Sequence, residues 1–284
     1  MSNSELAYPQ TDEGERLGAL LYDRYRAELE LDVAWNATLD TLLAHRSVRA
    51  YTAEAVPDGA IELAVAAAQS AASSSNLQPW SVVAVADPAR KARLAALAGN
   101  QKQILQAPLF LLWIVDHNRL TRIGAHVGTP AAALHYLESF LLGAVDTSLA
   151  AQNAVVALES IGLGTCYIGG IRNKPAEVAA ELGLPPQSFA LFGLTVGVPD
   201  PAAPASVKPR LPQEAVLFRE TYGQADAPAA VTAYDHRLRS FQREQAMPER
   251  DWTEQASQRV RGAESLAGRD VLRDVLNHLG FALK

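Results

Sequence analysis

The 284-residue sequence holds a single cysteine, Cys166, which excludes an internal disulfide framework and any zinc site built from cysteines. Its six histidines, at positions 45, 117, 126, 135, 236 and 278, fall at no metal-ligand spacing, so no metal is expected. Long apolar runs are missing too. The longest uncharged one, Ala107–Val115, falls well short of the about 20 residues that cross a bilayer. The start of the chain, with Glu5, Asp12, Glu13 and Glu15, has neither the basic region nor the apolar core of a signal peptide, so the sequon Asn36-Ala37-Thr38 reads as chance. Lysine is scarce, five of 25 basic residues, and arginine carries the positive charge. A net charge of −6 argues against non-specific nucleic-acid binding. These absences describe a soluble, cytoplasmic protein with no membrane or nucleic-acid partner. Nor does the chain contain G-x-x-x-x-G-K-[ST], H-E-x-x-H, G-x-S-x-G or a serine or cysteine triad. Gly162, Gly164, Gly169 and Gly170 miss G-x-G-x-x-G because position 167 is tyrosine. Demanding chemistry would have to come from a bound organic cofactor.

What is present suffices for one large domain or two small ones, with 49% hydrophobic residues. Residues 1–12 read as disordered. Leucines at helical spacing from Glu13 to Ala44 predict two helices interrupted near Leu31–Asn36. Asp58 is the expected N-cap of a helix over Ile61–Ser70. A polar loop, Ala72–Trp80, leads into an apolar strand at Ser81–Ala86, and Pro108–Val115 and Phe189–Val198 read as two more buried strands. Helices are expected at Ala89–Ala98, Pro175–Leu182 and, at length, Ala131–Ile161, whose nearly all-round apolar surface suits a core or a subunit interface. Its polar interruptions Asp146, Gln152 and Asn153 should find partners inside the packing. After Gly162 a short strand ends in Gly169-Gly170. The proline-rich stretch Pro199–Pro212 reads as an extended loop, followed by helices near Ala229–Gln242, Glu254–Arg261 and Glu264–Leu279. Alternating apolar strands and helices imply an α/β or α+β sheet covered on both faces.

Four segments could converge on a cofactor. His45-Arg46-Ser47-Val48-Arg49 sets two guanidiniums, an imidazole and a hydroxyl close together, and a guanidinium's planar fork matches phosphate oxygens. Lys208-Pro209-Arg210 adds two cations held extended by proline. The Ser73–Gln78 loop offers hydroxyls and an amide to a heterocycle's edge, and Tyr167-Ile168-Gly169-Gly170 lets backbone N–H groups approach a ligand closely. Taken singly, each is equally a solvated loop or a plain turn.

Their order and wording carry more. His-Arg-Ser-x-Arg is followed by Ser-Ser-Ser-x-Leu-Gln, Gly99-Asn100-Gln101-Lys102, Val145-Asp146-Thr147, Ala-Gln-Asn-Ala (151–154), Glu-Ser-Ile-Gly-Leu-Gly, Tyr-Ile-Gly-Gly-Ile-Arg-Asn, Leu-Phe-Gly-Leu and Lys-Pro-Arg-Leu-Pro. Over roughly residues 38–280 this resembles the FMN-dependent family of oxygen-insensitive NADPH nitroreductases and flavin reductases. The resemblance implies an α+β nitroreductase-like fold: a central, mostly antiparallel sheet between helices, in an intertwined homodimer carrying FMN at the subunit boundary. Residues 1–37 would then be an N-terminal helical extension, and 38–284 the FMN-binding domain with a C-terminal helical excursion near 228–262.

By the same resemblance, His45, Arg46, Ser47, Arg49, Lys208 and Arg210 bind the FMN phosphate and ribityl chain. Ser73, Ser75 and Gln78 lie beside the flavin, Ser75 reaching the substrate as well, and Gln101 bonds the flavin or its ribityl chain. Tyr167, Ile168, Gly169 and Gly170 cover one side of the isoalloxazine. Arg172 faces the substrate mouth. The implied activity is ping-pong two-electron transfer from NADPH to nitroaromatics, quinones or related small-molecule acceptors, with no catalytic side chain beyond the flavin. A 2′-phosphate calls for cations: Arg239 and Arg243 share a predicted helix face and Arg250 follows in a loop, with Arg243 and Arg250 the expected contacts. Pro79 and Trp80 depart from the family wording, and a tryptophan there would narrow the substrate pocket. A dedicated flavin reductase, or a non-catalytic flavin-binding redox module, is the alternative reading.

Overall fold

Residues 109–116 run through the middle of the sheet, and their alternation sets the layers around them. The computed structural model describes residues 11–223 and 227–284. The expected disorder of residues 1–12 therefore lies outside the described residues except at Thr11 and Asp12, which open the first helix. In chain order the elements are α1 (Thr11–Tyr25), α2 (Ala37–Leu43), α3 (Ala60–Gln69), β1 (Trp80–Val85), α4 (Pro88–Leu97) and α5 (Lys102–Gln106). Then come β2 (Leu109–Asp116), α6 (Asn118–Val127), α7 (Leu137–Ser160), β3 (Gly164–Ile168) and α8 (Pro175–Leu182). They are followed by β4 (Ser188–Gly197), α9 (Ala227–Glu244), α10 (Trp252–Arg259) and α11 (Leu272–His278). Two compact units divide the chain: a sheet unit, residues 47–205 and 266–284, and a helical unit, residues 1–46 and 206–265.

In the sheet unit the strand order is β1-β2-β4-β3, every pairing antiparallel. Side chains on a strand alternate between faces. Leu109, Leu111 and Trp113 accordingly join a cluster with Ala60, Ala64 and Ala68 of α3 and Ala150, Ala151, Ala154, Val155 and Leu158 of α7. Phe110, Leu112 and Ile114 face the other way, against Leu94, Ala95, Ala98, Ile104 and Val178. Helices on both faces explain why β2 reads as an unbroken apolar run. The alanines let α3 and α7 approach closely. Among the described residues α7 alone has the length and apolar composition of a membrane span, but the residues just named bury one side of it within this unit. The chain's last residues also belong here: Phe281 packs with Val115, Phe189 and Leu276, and its ring lies 5.3 Å from that of His117.

Several boundaries differ from the sequence reading. Asp58 caps nothing. The residue preceding α3 is Gly59 at φ 82°, which has no side chain to cap with, and the turn closes through Ala60 N–H to Pro57 O at 3.1 Å. The long helix expected over Ala131–Ile161 starts as a short 3₁₀ turn, Ala132–His135, and breaks at extended Tyr136 before α7 begins. α6 was not anticipated. The stretch read as one helix over Glu264–Leu279 is a 3₁₀ turn at Ala263–Leu266 and then α11. Of the polar residues on α7, Asp146 is buried and Asn153 donates to Ala67 O at 3.1 Å, whereas Gln152 is exposed rather than held within the packing.

In the helical unit, Tyr234, Leu238 and Phe241 of α9 pack with Leu211 and Trp252. Leu17, Leu20 and Leu21 form the buried stripe of α1. Asn36 caps α2 through its side-chain oxygen, accepting from Thr38 N and Leu39 N at 3.0 Å each.

Candidate cofactor-binding site

In the sheet unit, the second half of the basic pentad lies along the sheet's edge strand. Ser47 bridges to Thr165 of β3, and Val48 N–H donates to Thr165 O at 2.8 Å. Val48 is buried against Gly164, where an added Cβ would come within 2.7 Å of Val48 Cγ2, so the strand needs glycine there. The Tyr51 hydroxyl donates to Val48 O at 2.7 Å and lies 2.7 Å from Thr195 Oγ1. Val48 is thus the anchor, and its neighbours Ser47 and Arg49 are held in place on either side of it. Arg49 is exposed, its guanidinium reaching back to Ser47 O at 3.5 Å. Cys166, the next residue on β3, is buried, and burial pushes its thiol pKa up, opposed by the charge of Arg49. A thiol held protonated is a packing residue, not a nucleophile.

β3 then leads to the glycine pair. The Tyr167 ring meets Phe192 edge-on at 5.1 Å, and its hydroxyl donates to Gln152 Oε1 at 3.3 Å. Ile168 is buried, and Gly169–Asn173 make a 3₁₀ turn. At Gly170 a Cβ would run into the carbonyl oxygen of Ala98, so this glycine is required for packing on the end of α4. Arg172 is half-buried and donates to Leu191 O. Leu191 is the extra residue of a bulge, for Phe192 pairs with Trp113 and Ala190 with Ile114. The guanidinium therefore satisfies a carbonyl the ladder leaves unpaired. Burial and the charge of Arg269 lower its pKa.

The serine loop is strained: Ser75, Asn76 and Gln78 have φ of 48°, 55° and 51°, in the left-handed region that non-glycine residues rarely adopt. A buried carboxylate holds it. Asp146 accepts from Ser73 Oγ at 2.8 Å and from Ser74 N at 3.1 Å, and Ser73 Oγ in turn accepts from Gln78 N at 2.9 Å. Arg119 fastens the exit, donating to Gln78 O at 3.0 Å and Trp80 O at 3.1 Å. Arg119 has no counterpart in the sequence reading, where Asp146 figures as a polar break on an apolar helix and within the family wording Val145-Asp146-Thr147, without a partner. Ser73 is consumed by the loop itself, while Ser75 and Gln78 are exposed. Trp80 packs on Trp113, ring centroids 5.7 Å apart. Gln101 sits just before α5 and accepts from Gln103 Nε2 at 2.8 Å.

In the helical unit, His45 is half-buried, and Arg46 is exposed, reaching Ala44 O at 3.4 Å. Lys208 and Arg210 are exposed on either side of buried Pro209, whose carbonyl accepts from Tyr234 OH at 2.9 Å. The excursion arginines are engaged with each other's neighbourhood. Arg239 pairs with Asp251, and Arg243 holds Glu249 by a two-pronged bond of 3.0 and 2.8 Å. Arg250 lines a hollow of about 430 Å³ together with Arg259, Arg261 and Glu254. Arg259 and Arg261 carried no signal in the sequence beyond their charge.

An antiparallel sheet between helical layers, with an arginine-bearing segment along one edge strand and a polar loop braced by a buried carboxylate, defines an α+β protein. Residues 42–198 match the Nitroreductase family and 208–284 the C-terminal domain of that family. The chain belongs to the nitroreductase family. It is 41% identical over 204 residues to the oxygen-insensitive NADPH nitroreductase of Salmonella typhimurium, covering 72% of this chain and 82% of that protein. To the FMN reductase (NADPH) of Bacillus subtilis it is 37% identical over 225 residues, 78% of this chain and 90% of that one. The solved structure of B. megaterium NfrA2 superposes with a TM-score of 0.82 at 38% identity, over 88% of this chain and 99% of that one.

Proposed function

We propose that the protein is an FMN-dependent NADPH oxidoreductase that delivers two electrons to nitroaromatics, quinones, free flavin or related small acceptors. The observation that supports it most is the bridge between Ser47-Val48 and Thr165, which sets a phosphate-type recognition segment beside the strand that runs on to Tyr167–Gly170. The donor set fits a phosphate monoester. Among the described residues Arg46 and Arg49 spend their guanidiniums on nothing stronger than long bonds to nearby carbonyls, at 3.4 and 3.5 Å, which leaves donors for a ligand. His45, Ser47, Lys208 and Arg210 complete the assignment to phosphate and ribityl chain. Ser75, Gln78 and Gln101 are assigned to the flavin edge, with Ser73 acting through the loop it braces. Tyr167, Ile168, Gly169 and Gly170 are assigned to one flavin face and Arg172 to the substrate side. Bound FMN supplies hydride acceptance from NADPH and two-electron delivery to the acceptor. The protein's part is to bind, orient and screen it from water.

The same reading includes a cytoplasmic homodimer. Leu137, Leu141, Val145 and Leu149 project from α7 at one-turn spacing and are 44–56% exposed, a stripe a second copy would cover. Arg243 and Arg250 are assigned to the NADPH 2′-phosphate. The test is an anaerobic titration of the purified yellow protein with NADPH, followed by a nitroaromatic or free FMN. Bleaching of the flavin band and its return on adding acceptor is the expected result. A band that never bleaches favours a non-catalytic flavin module, and return with FMN alone favours a dedicated flavin reductase.

A further inference from the structure

Arg24 occupies the buried stripe of α1, in line with Leu17, Leu20 and Leu21, and is only 9% exposed. It lies within the extension that precedes the family-like part of the chain. A cation in that position ordinarily needs a carboxylate, yet its hydrogen bonds go to main-chain carbonyls. Nη2 donates to Leu43 O at 2.9 Å and to His45 O at 2.8 Å, and Nη1 to Lys208 O at 3.1 Å. The Arg24 carbonyl in return accepts from Arg210 N at 2.9 Å. One rigid planar group therefore fastens the strand of backbone entering His45-Arg46 and the backbone of Lys208-Pro209-Arg210. Burial, and after it the charge of Arg210, pushes the Arg24 pKa down. Like charges are being gathered here at a cost, as expected of a place that receives an anion. α1 itself is moored within the unit: Arg16 pairs with Asp40 at 2.5 Å, Arg26 with Glu244 at 3.0 Å, and Gln213 Nε2 donates to Tyr25 OH at 3.4 Å.

We propose that Arg24 is a positioning residue for the FMN phosphate, fixing two basic segments by their main chains so that His45, Arg46, Lys208 and Arg210 act on one phosphate. The inference rests on the FMN reading above. It assigns the N-terminal extension a role in cofactor affinity, through contacts that never reach the flavin ring.

Riboflavin lacks the phosphate and separates this role from a general effect on folding. The full-length protein, stripped of flavin, is titrated with FMN and with riboflavin by fluorescence quenching, as wild type, Arg24→Met and Arg24→Lys, each with its thermal midpoint. Arg24→Met should weaken FMN by about tenfold or more, the scale of one charge-assisted bond, and riboflavin by less than about threefold. Arg24→Lys, with the charge but not the fork, should fall between. Parallel weakening of both flavins, or unchanged FMN affinity, overturns the proposal. Should Arg24→Met not fold, Arg24→Lys decides by the same ratio. A wild-type protein that binds FMN no better than riboflavin fails at the earlier step, refuting the phosphate assignment before any substitution is made.

Discussion

The two units are held by different forces. In the sheet unit Phe110, Leu112, Trp113 and Val115 have no exposed surface, and register is imposed by which face each side chain must bury. Among its described residues the helical unit has a small aromatic cluster around Tyr234 and Phe241 and the leucine stripe of α1, and arginines tie it as well: Arg24 to carbonyls, Arg26 to Glu244, Arg239 to Asp251, Arg243 to Glu249. Apolar burial is strong but non-directional. Guanidinium bonds are weaker in net terms but aim the groups they hold. The sheet unit is thus held chiefly by burial, and the helical unit to a greater extent by directed bonds.

The sharpest way to break this contrast is to remove the largest side chain between the layers. Trp113→Ala should cost about 3–5 kcal/mol and lower the thermal midpoint by roughly 10 °C, measured by calorimetry. A loss under about 1 kcal/mol would mean the layers are not held as described. A directed bond in the same unit should matter less. Asp146→Ala strands Ser73 Oγ and Ser74 N, about 1–3 kcal/mol. Its effect should concentrate in residues 73–78, seen as faster amide exchange there than in the strands. Uniform acceleration would show the loop and sheet to be one cooperative piece.

The same division governs what could be read from the sequence. β2 and β4 were legible because continuous burial leaves an apolar run, and the family wording was legible in the order of the segments, the pentad and the glycine pair among them, rather than in any one taken singly. Asp58 misled because the Pro57-Asp58-Gly59 turn places a glycine, not the aspartate, before the helix. Tyr136 was invisible as a break, since a 3₁₀ turn followed by a helix keeps nearly helical spacing. Arg24 left one trace, a cation on the leucine stripe of α1. Bonds to main-chain carbonyls depend on fold alone and write no partner residue into the sequence. Gly170 was attributed to close ligand approach, while the backbone of Ala98 already demands it.

A pH series sharpens the comparison from the sheet side. His117 is buried, burial lowers its pKa, Nε2 lies 3.1 Å from Ser139 O, and Nδ1 has no partner among the described residues. The folded state therefore keeps the imidazole neutral where the unfolded chain protonates near pH 6.5. Stability contributed this way is present above that pH and lost as pH falls below it, at up to about 1.4 kcal/mol per pH unit. Denaturant unfolding between pH 7.5 and 5 should show this slope, and His117→Gln should flatten it. An unchanged slope in the variant would move the titration to another group.

The smallest expected effect on stability, and the most specific on function, belongs to Arg243. It is exposed and bonded to exposed Glu249, and solvent screens such pairs. Arg243→Ala should leave the thermal midpoint where it is, unlike Trp113→Ala. If Arg243 takes up the 2′-phosphate it must exchange Glu249 for it, so the KM for NADPH should rise several-fold in a way the KM for NADH does not. Glu249→Gln should then do the reverse, lowering the NADPH KM by releasing the guanidinium, and Arg250→Ala should share the coenzyme-selective loss. Equal changes for both coenzymes in Arg243→Ala and Arg250→Ala would remove these residues from phosphate recognition and leave the three-arginine hollow at Arg250, Arg259 and Arg261 without a role in coenzyme choice.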